Sequence, residues 1–167
     1  ETFEIDIPAQ PQAPQGIALV SRTDVQVTVT SDSSVEYSLN GTDWQDISTF
    51  TGLIKNTQYT IYFRYKATSS AFCSQAGSIQ VTTMGKQGDV DEEDITIDYF
   101  NKIITFDSKY EVSTSQSFAA GTFIASGSKI QPGMKLYIRI KADENNVAGN
   151  ILVYDVKQKP ATPSAPS

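Results

Sequence analysis

The sequence predicts an all-β chain of two tandem β-sandwiches, and three observations carry that expectation. The first is the choice of apolar residues, with 16 Ile and 11 Val against 5 Leu, beside 35 Ser and Thr, in 167 residues. β-Branched side chains lose rotamer freedom in a helix and pack well on a pleated surface. The second is strict alternation of apolar and polar residues in short runs, with no sustained 3.6-residue apolar pattern. The third is an internal repeat. Residues 28–38, TVTSDSSVEYS, match 103–113, IITFDSKYEVS, at Thr30/Thr105, Asp32/Asp107, Ser33/Ser108, Glu36/Glu111 and Ser38/Ser113. The same spacing sets Tyr62-Phe-Arg64-Tyr-Lys66-Ala67 on Tyr137-Ile-Arg139-Ile-Lys141-Ala142. Two separated blocks that share one offset mark two related modules in tandem.

In the first module, Ile17–Val20 and Val25–Thr30 read as the opening strands, with Val25, Val27 and Val29 on one face. Val35–Leu39 runs into Asn40-Gly41, a two-residue hairpin signal because a type I′ turn needs positive φ at both positions. Trp44 then returns on the partner strand. Thr57–Ala67 is the longest strand, with Tyr59, Ile61, Phe63 and Tyr65 facing one way and Thr60, Tyr62, Arg64 and Lys66 the other. Ile79–Thr82 closes the module. The second module offers Ile95–Tyr99, Ile103–Phe106, Tyr110–Val112, Phe118–Ile124, Lys135–Ala142 and Ile151–Val156 as strands.

A third echo sets Phe3–Pro14 beside Leu152–Pro163, each an alternating strand followed by a Pro-rich stretch. The expected organisation is therefore a tail strand and Pro-rich exit of a preceding repeat at 1–13, a first sandwich at 14–84, a linker at 85–94, a second sandwich at 95–159 and a Pro-rich exit linker at 160–167. Pro8, Pro11 and Pro14 at one end and Pro160, Pro163 and Pro166 at the other favour extended polyproline II spacers. Phe3, Ile5 and Ile7, separated from a receiving module, are expected to fray or to pair with a sheet edge.

Composition narrows the chemistry. There is no His, so the commonest general base and the commonest metal ligand are missing. A single cysteine, Cys73, excludes an intrachain disulfide, a thiolate zinc cluster and a CxxC redox pair. A net charge of −6 without a basic cluster disfavours nucleic acid and anionic membranes. No nucleophile–base motif is present, so no enzymatic activity and no cofactor are expected. The acidic run Asp89-Val-Asp91-Glu92-Glu93-Asp94 supplies hard oxygen atoms suited to calcium, but it lacks the glycine turn and ligand spacing of an EF-hand, and a solvated face is the plainer reading. Cys73, between Phe72 and Ser74, reads as a small buried apolar residue.

Two features remain as recognition candidates. Trp44, Tyr62 and Arg64 could form a ligand platform, the aromatics stacking on a sugar ring; the competing reading packs Trp44 on Tyr37 across the strand. The recurring Tyr-x-Arg-x-Lys lies on the polar face of a long strand, where Arg64 and Arg139 would pair with Glu36 and Glu111 or stack on Tyr.

At these residues a resemblance becomes usable. Leu53-Ile-Lys-Asn-Thr57-Gln-Tyr59-Thr-Ile61-Tyr-Phe63 is similar to the L-x-P-x-T-x-Y-x-V-x-V run that builds the tyrosine corner of fibronectin type III domains, with Lys55 in place of Pro. The second module keeps Ile130-Gln-Pro132-Gly133 without a corner tyrosine. More broadly, Glu36-Tyr-Ser38, Asn40-Gly41, Trp44, Phe50-Thr-Gly-Leu53, Arg64 and Lys66-Ala-Thr68 resemble an immunoglobulin-like or fibronectin-like repeat of Gram-positive bacterial surface proteins. Ile95–Tyr99, Ile130–Gly133 and Tyr137–Ala142 resemble its companion module. The resemblance implies a structural and adhesive repeat region, extracellular at the cell surface or secreted, spacing or presenting other domains, with a protein or glycan partner unknown. A carbohydrate-binding accessory module of an extracellular glycosidase is the alternative.

Overall fold

A computed structural model describes residues 11–157, and all structural statements concern these. The chain divides into two compact units, Glu1–Gly85 and Lys86–Ser167. In the first, β1 (Leu19–Arg22), β2 (Gln26–Val29) and β4 (Thr49–Thr51) form one antiparallel sheet in the order β1-β2-β4. β3 (Val35–Ser38), β5 (Gln58–Tyr65) and β6 (Gly77–Thr82) form the other, in the order β3-β5-β6. The inward residues are those the alternation selects: Val27 and Val29 from one sheet meet Val35, Tyr37, Ile61, Phe63 and Val81 from the other, closed by Phe50 and Leu53. Val25 is 49% exposed, so the expected apolar face of that strand begins at Val27.

β7 (Gly85–Lys86) lies where the chain passes from one unit to the next. In the second unit β8 (Ile95–Asp98), β9 (Ile103–Phe106) and β12 (Ser128–Lys129) make one sheet in the order β12-β9-β8. β10 (Tyr110–Ser113), β11 (Phe123–Ile124), β13 (Lys135–Ile140) and β15 (Leu152–Asp155) make the other, in the order β11-β10-β13-β15. β14 (Asn146–Val147) is a further two-residue strand. Each unit is an immunoglobulin-like sandwich, and the strand orders correspond one to one except for β11, which the first unit reduces to a single bridge between Tyr37 and Gln45.

That bridge revises the hairpin. Asn40-Gly41 does not close a two-residue turn, because Asn40 Oδ1 instead accepts the amides of Thr42 and Asp43, and Ser38 Oγ accepts those of Asn40 and Gly41. Side-chain acceptors two and three residues away compete with the ladder and hold a wider loop. Gly41 still supplies the positive φ, at 75°. The strand expected over Phe118–Ile124 shrinks to β11, since Phe118 is buried with φ 51° and the chain turns through Ala119–Thr122.

The segment 85–94, expected as a linker, belongs from Lys86 onward to the second unit. The Gln87 amide donates to the Val147 carbonyl and its side chain to Asp143 Oδ2. Lys86 Nζ donates to Asn150 Oδ1, and Asn150 Nδ2 to Asp89 Oδ1. Val90 packs on the core. Asp91 caps a one-turn 3-10 helix, Glu92–Asp94, by accepting the Glu93 amide. The acidic run stays exposed at Asp89, Asp91, Glu92 and Glu93, while Asp89 and Asp94 bind side chains of the second unit, Asn150 for the one and Tyr110 and Lys109 for the other. The strand expected over 3–7, residues 158–160 and the Pro-rich exit lie outside the described residues.

Candidate functional site

β3 and β5 pair with Glu36 opposite Arg64 and Ser38 opposite Tyr62, on the outer face of their sheet. The 39–44 loop folds back over that face. The Arg64 guanidinium lies 4.0 Å from the Trp44 ring centroid, and Arg64 Nε donates to Glu36 Oε1 at 2.6 Å. Gly41 lies over the Tyr62 ring, at ordinary van der Waals range for an added Cβ. Trp44, Tyr62 and Arg64, the residues singled out from sequence, therefore do share one face, and all three are half-buried. Trp44 rests on Arg64 rather than on Tyr37 or the core. A planar guanidinium held by a carboxylate is well suited to stack on an indole face.

The same arrangement stands in the second unit. Arg139 Nε donates to Glu111 Oε1 at 2.5 Å, and its guanidinium lies 3.9 Å from the Phe118 centroid. The paired groups are matched in exposure, at 27% and 19% for Arg64 and Glu36 and 28% and 19% for Arg139 and Glu111. Lys66 Nζ reaches the Ser33 carbonyl and Lys141 Nζ the Ser108 carbonyl. The Glu–Arg pairing expected from sequence is present in both modules, while the stacking partner is an aromatic of the following loop, not a Tyr. Phe118 was missed because it stands 74 residues beyond Trp44, one out of the repeat register, and inside a run that reads as a strand.

Buried tyrosines bind the loops. In β3 the inward order is Val35 then Tyr37; in β10 it is Tyr110 then Val112. Tyr37 Oη donates to the Thr30 carbonyl and accepts the Asp32 amide, and burial pushes its hydroxyl pKa up. Tyr110 Oη donates to Asp94 Oδ2 and accepts the Asp91 amide, which holds the leading segment of the second module in place. Hydrogen bonds from the Lys109 ammonium and the Tyr110 hydroxyl hold Asp94 below the usual carboxylate range. The Tyr59 hydroxyl accepts the Ile54 amide at 2.9 Å, five residues upstream, which completes a tyrosine corner. Met134 stands at the matching position of the second module, and its sulfur accepts the Gln131 amide.

No group of three or more His, Cys, Asp and Glu gathers among the described residues, and the acidic run sends Asp89, Asp91 and Asp94 to separate partners. No buried side-chain polar atom among them lacks a hydrogen-bond partner. Cys73 is half-buried rather than enclosed. A groove of about 280 Å³ lies at one pole of the second module, walled by Tyr99, Phe100, Ile130 and Pro132. No helix among the described residues is long and apolar enough to cross a membrane.

Strand order, two facing sheets and the corner tyrosine define the class as fibronectin type III-like sandwich modules in tandem. No protein-family model matches the sequence, and no curated protein matches it. Among solved structures it is similar to a two-domain fibronectin type III segment of chicken tenascin, with a TM-score of 0.33, 14% identity, and coverage of 88% of this chain and 100% of that one. It is also similar to the FN1–FN3 domains of chicken CNTN1, with a TM-score of 0.32, 17% identity, and coverage of 92% of this chain and 70% of that one.

Proposed function

We propose that this chain is a non-catalytic repeat region of an extracellular protein, spacing and presenting neighbouring domains at a bacterial cell surface and contacting a protein or glycan partner there. The observation that carries the spacer reading is the duplication of one self-satisfied design. Glu36–Arg64–Trp44 and Glu111–Arg139–Phe118 each close a charged pair under an aromatic ring and tie the middle of the sandwich across strands. Polar groups are committed to one another and to loops, a pattern that favours shape over chemistry. The extracellular, bacterial and adhesive parts of the proposal rest on the sequence resemblance and on the Ser/Thr-rich composition.

Stretching the chain between two marker domains in a force spectrometer tests the spacer role. Each module should yield as one event that releases roughly 200–250 Å, set by about 3.5 Å per extended residue over about 70 residues. A smooth extension without discrete events would sink it. Adhesion is tested separately by arrays of matrix proteins and glycans, where binding by the folded chain is expected and uniform silence would contradict it.

A further inference from the structure

The turn after β8 and the corner before β13 leave an apolar groove of about 280 Å³ at one pole of the second module. Tyr99, Phe100 and Pro132 stand around it, with the buried Ile130 and Val156 beneath. The turn is preorganised. Asp98 Oδ1 accepts the amides of Phe100 and Asn101, and Asn101 Nδ2 donates to Asp98 Oδ2. The hydroxyls of Tyr99 and Tyr154 share a hydrogen bond of 3.2 Å. Phe100 is held there 84% exposed, so its ring gains apolar burial once an occupant lies against it. At the spacing of the repeat the first module has Asp24 and Val25 in the places of Tyr99 and Phe100, so the aromatic turn is peculiar to the second module.

Charge indicates what the occupant carries. Lys102 and Lys157 line the same groove, both exposed, and no carboxylate among the described residues lines it, although the whole chain has a net charge of −6. Neither ammonium group meets a partner among the described residues. The nearest carboxylates along the chain are engaged already, Asp98 by Asn101 and Asp155 by Lys135. Lys102 stands at φ 56°, a left-handed conformation uncommon for a residue with a Cβ. An apolar floor, aromatic walls and two uncommitted cations complement an apolar side chain flanked by carboxylates. The volume falls just under the roughly 300–1,000 Å³ of small-molecule clefts, and suits the single anchor side chain of a peptide.

We propose that this groove is a docking site for an extended acidic peptide of a partner protein. One proline or aromatic side chain enters between Phe100 and Pro132, and flanking carboxylates meet Lys102 and Lys157. Aromatic-lined grooves take extended, proline-containing segments at low entropic cost, because such segments are already stiff. The proposal rests on the reading that the chain contacts a partner, and is independent of the spacer role.

Fluorescence anisotropy tests it, with a dye-labelled peptide in which Phe and Pro alternate with Glu titrated by the full 167-residue chain. Saturable binding is expected, about three- to tenfold tighter than that of the same peptide with Gln for Glu. Phe100→Ala should weaken it about tenfold and Lys102→Gln about threefold. Phe72→Ala, at an exposed aromatic of the first module, should leave it unchanged. Absence of saturable binding up to millimolar chain overturns the proposal. So does equal affinity for the Gln peptide, or binding indifferent to Phe100→Ala and Lys102→Gln. Self-association of the chain that competes with the peptide overturns it too, since the occupant would then be a second copy. Binding to matrix-protein arrays by a chain that ignores the peptide would strike this site alone and leave the partner reading standing.

Discussion

Arg64 and Arg139 each meet a carboxylate on the neighbouring strand and an aromatic ring from the following loop. Half-exposed ion pairs contribute little by charge alone, yet these are anchored in stacked geometry. A double-mutant cycle on Glu36 and Arg64 should return a coupling of about 1 kcal/mol, and the cycle on Glu111 and Arg139 about the same. Arg→Lys should lose most of it, because an ammonium cannot stack and fork together. A coupling near zero in either module, read from denaturant midpoints, would leave the repeated pattern without an energetic role there. The corner tyrosine has a smaller effect than burial alone would suggest. Its partner, the amide of exposed Ile54, is free to turn to water, so Tyr59→Phe should cost about 0.5–1.5 kcal/mol rather than the full penalty of a buried orphan.

At the scale of elements, the segment 86–94 behaves as part of a sandwich. Asp94 is bound by Lys109 and Tyr110, Asp98 by Asn101, and Asp143 by Asn145, Asn146 and Gln87, and each carboxyl is held below the usual carboxylate range by those hydrogen bonds. A depressed folded-state pKa contributes stability above the unfolded value of about 3.9, and that contribution fades as pH falls through the folded value. Among its described residues the first module holds one comparable group, Asp32, bound by Ser34. The second module is therefore expected to lose more of its stability below about pH 4 than the first, and Asp94→Asn should flatten its acid limb. Thermal melts of each half from pH 7 to pH 2 check this, and parallel losses would contradict it. Glycine positions add a steric test. A Cβ at Gly149 would meet the Gly88 carbonyl, a backbone atom, and one at Gly77 would meet the Phe63 ring at 2.5 Å. Gly149→Ala should destabilise the second module by about 2 kcal/mol or more, because backbone has nowhere to yield.

At the scale of the whole molecule, what was legible in the sequence was whatever depends on period and repetition. Alternation selected Val27, Val29, Ile61 and Phe63 for the first core, and the shared spacing paired Glu36 with Arg64 and Glu111 with Arg139. Loop geometry was not legible, since it turns on single side-chain acceptors. Asn40 and Ser38 capture amides that a two-residue turn would have used, and Phe118 enters positive φ to reach Arg139. The boundary was misplaced for the same kind of reason. An acidic, glycine-flanked run has the composition of a linker, and nothing local announces that Tyr110, sixteen residues downstream of Asp94, will bind it.

The chain consists of two sandwich units, the second beginning at Lys86, and each is expected to fold by itself. That expectation is tested most directly by amide NMR spectra of residues 1–85, 86–167 and 95–167 prepared separately. The first two should each give dispersed spectra and a single cooperative unfolding transition, while 95–167, stripped of Val90, Asp91 and Asp94, should be unfolded or strongly destabilised. A collapsed spectrum from either of the first two, or a stable folded 95–167, would contradict it.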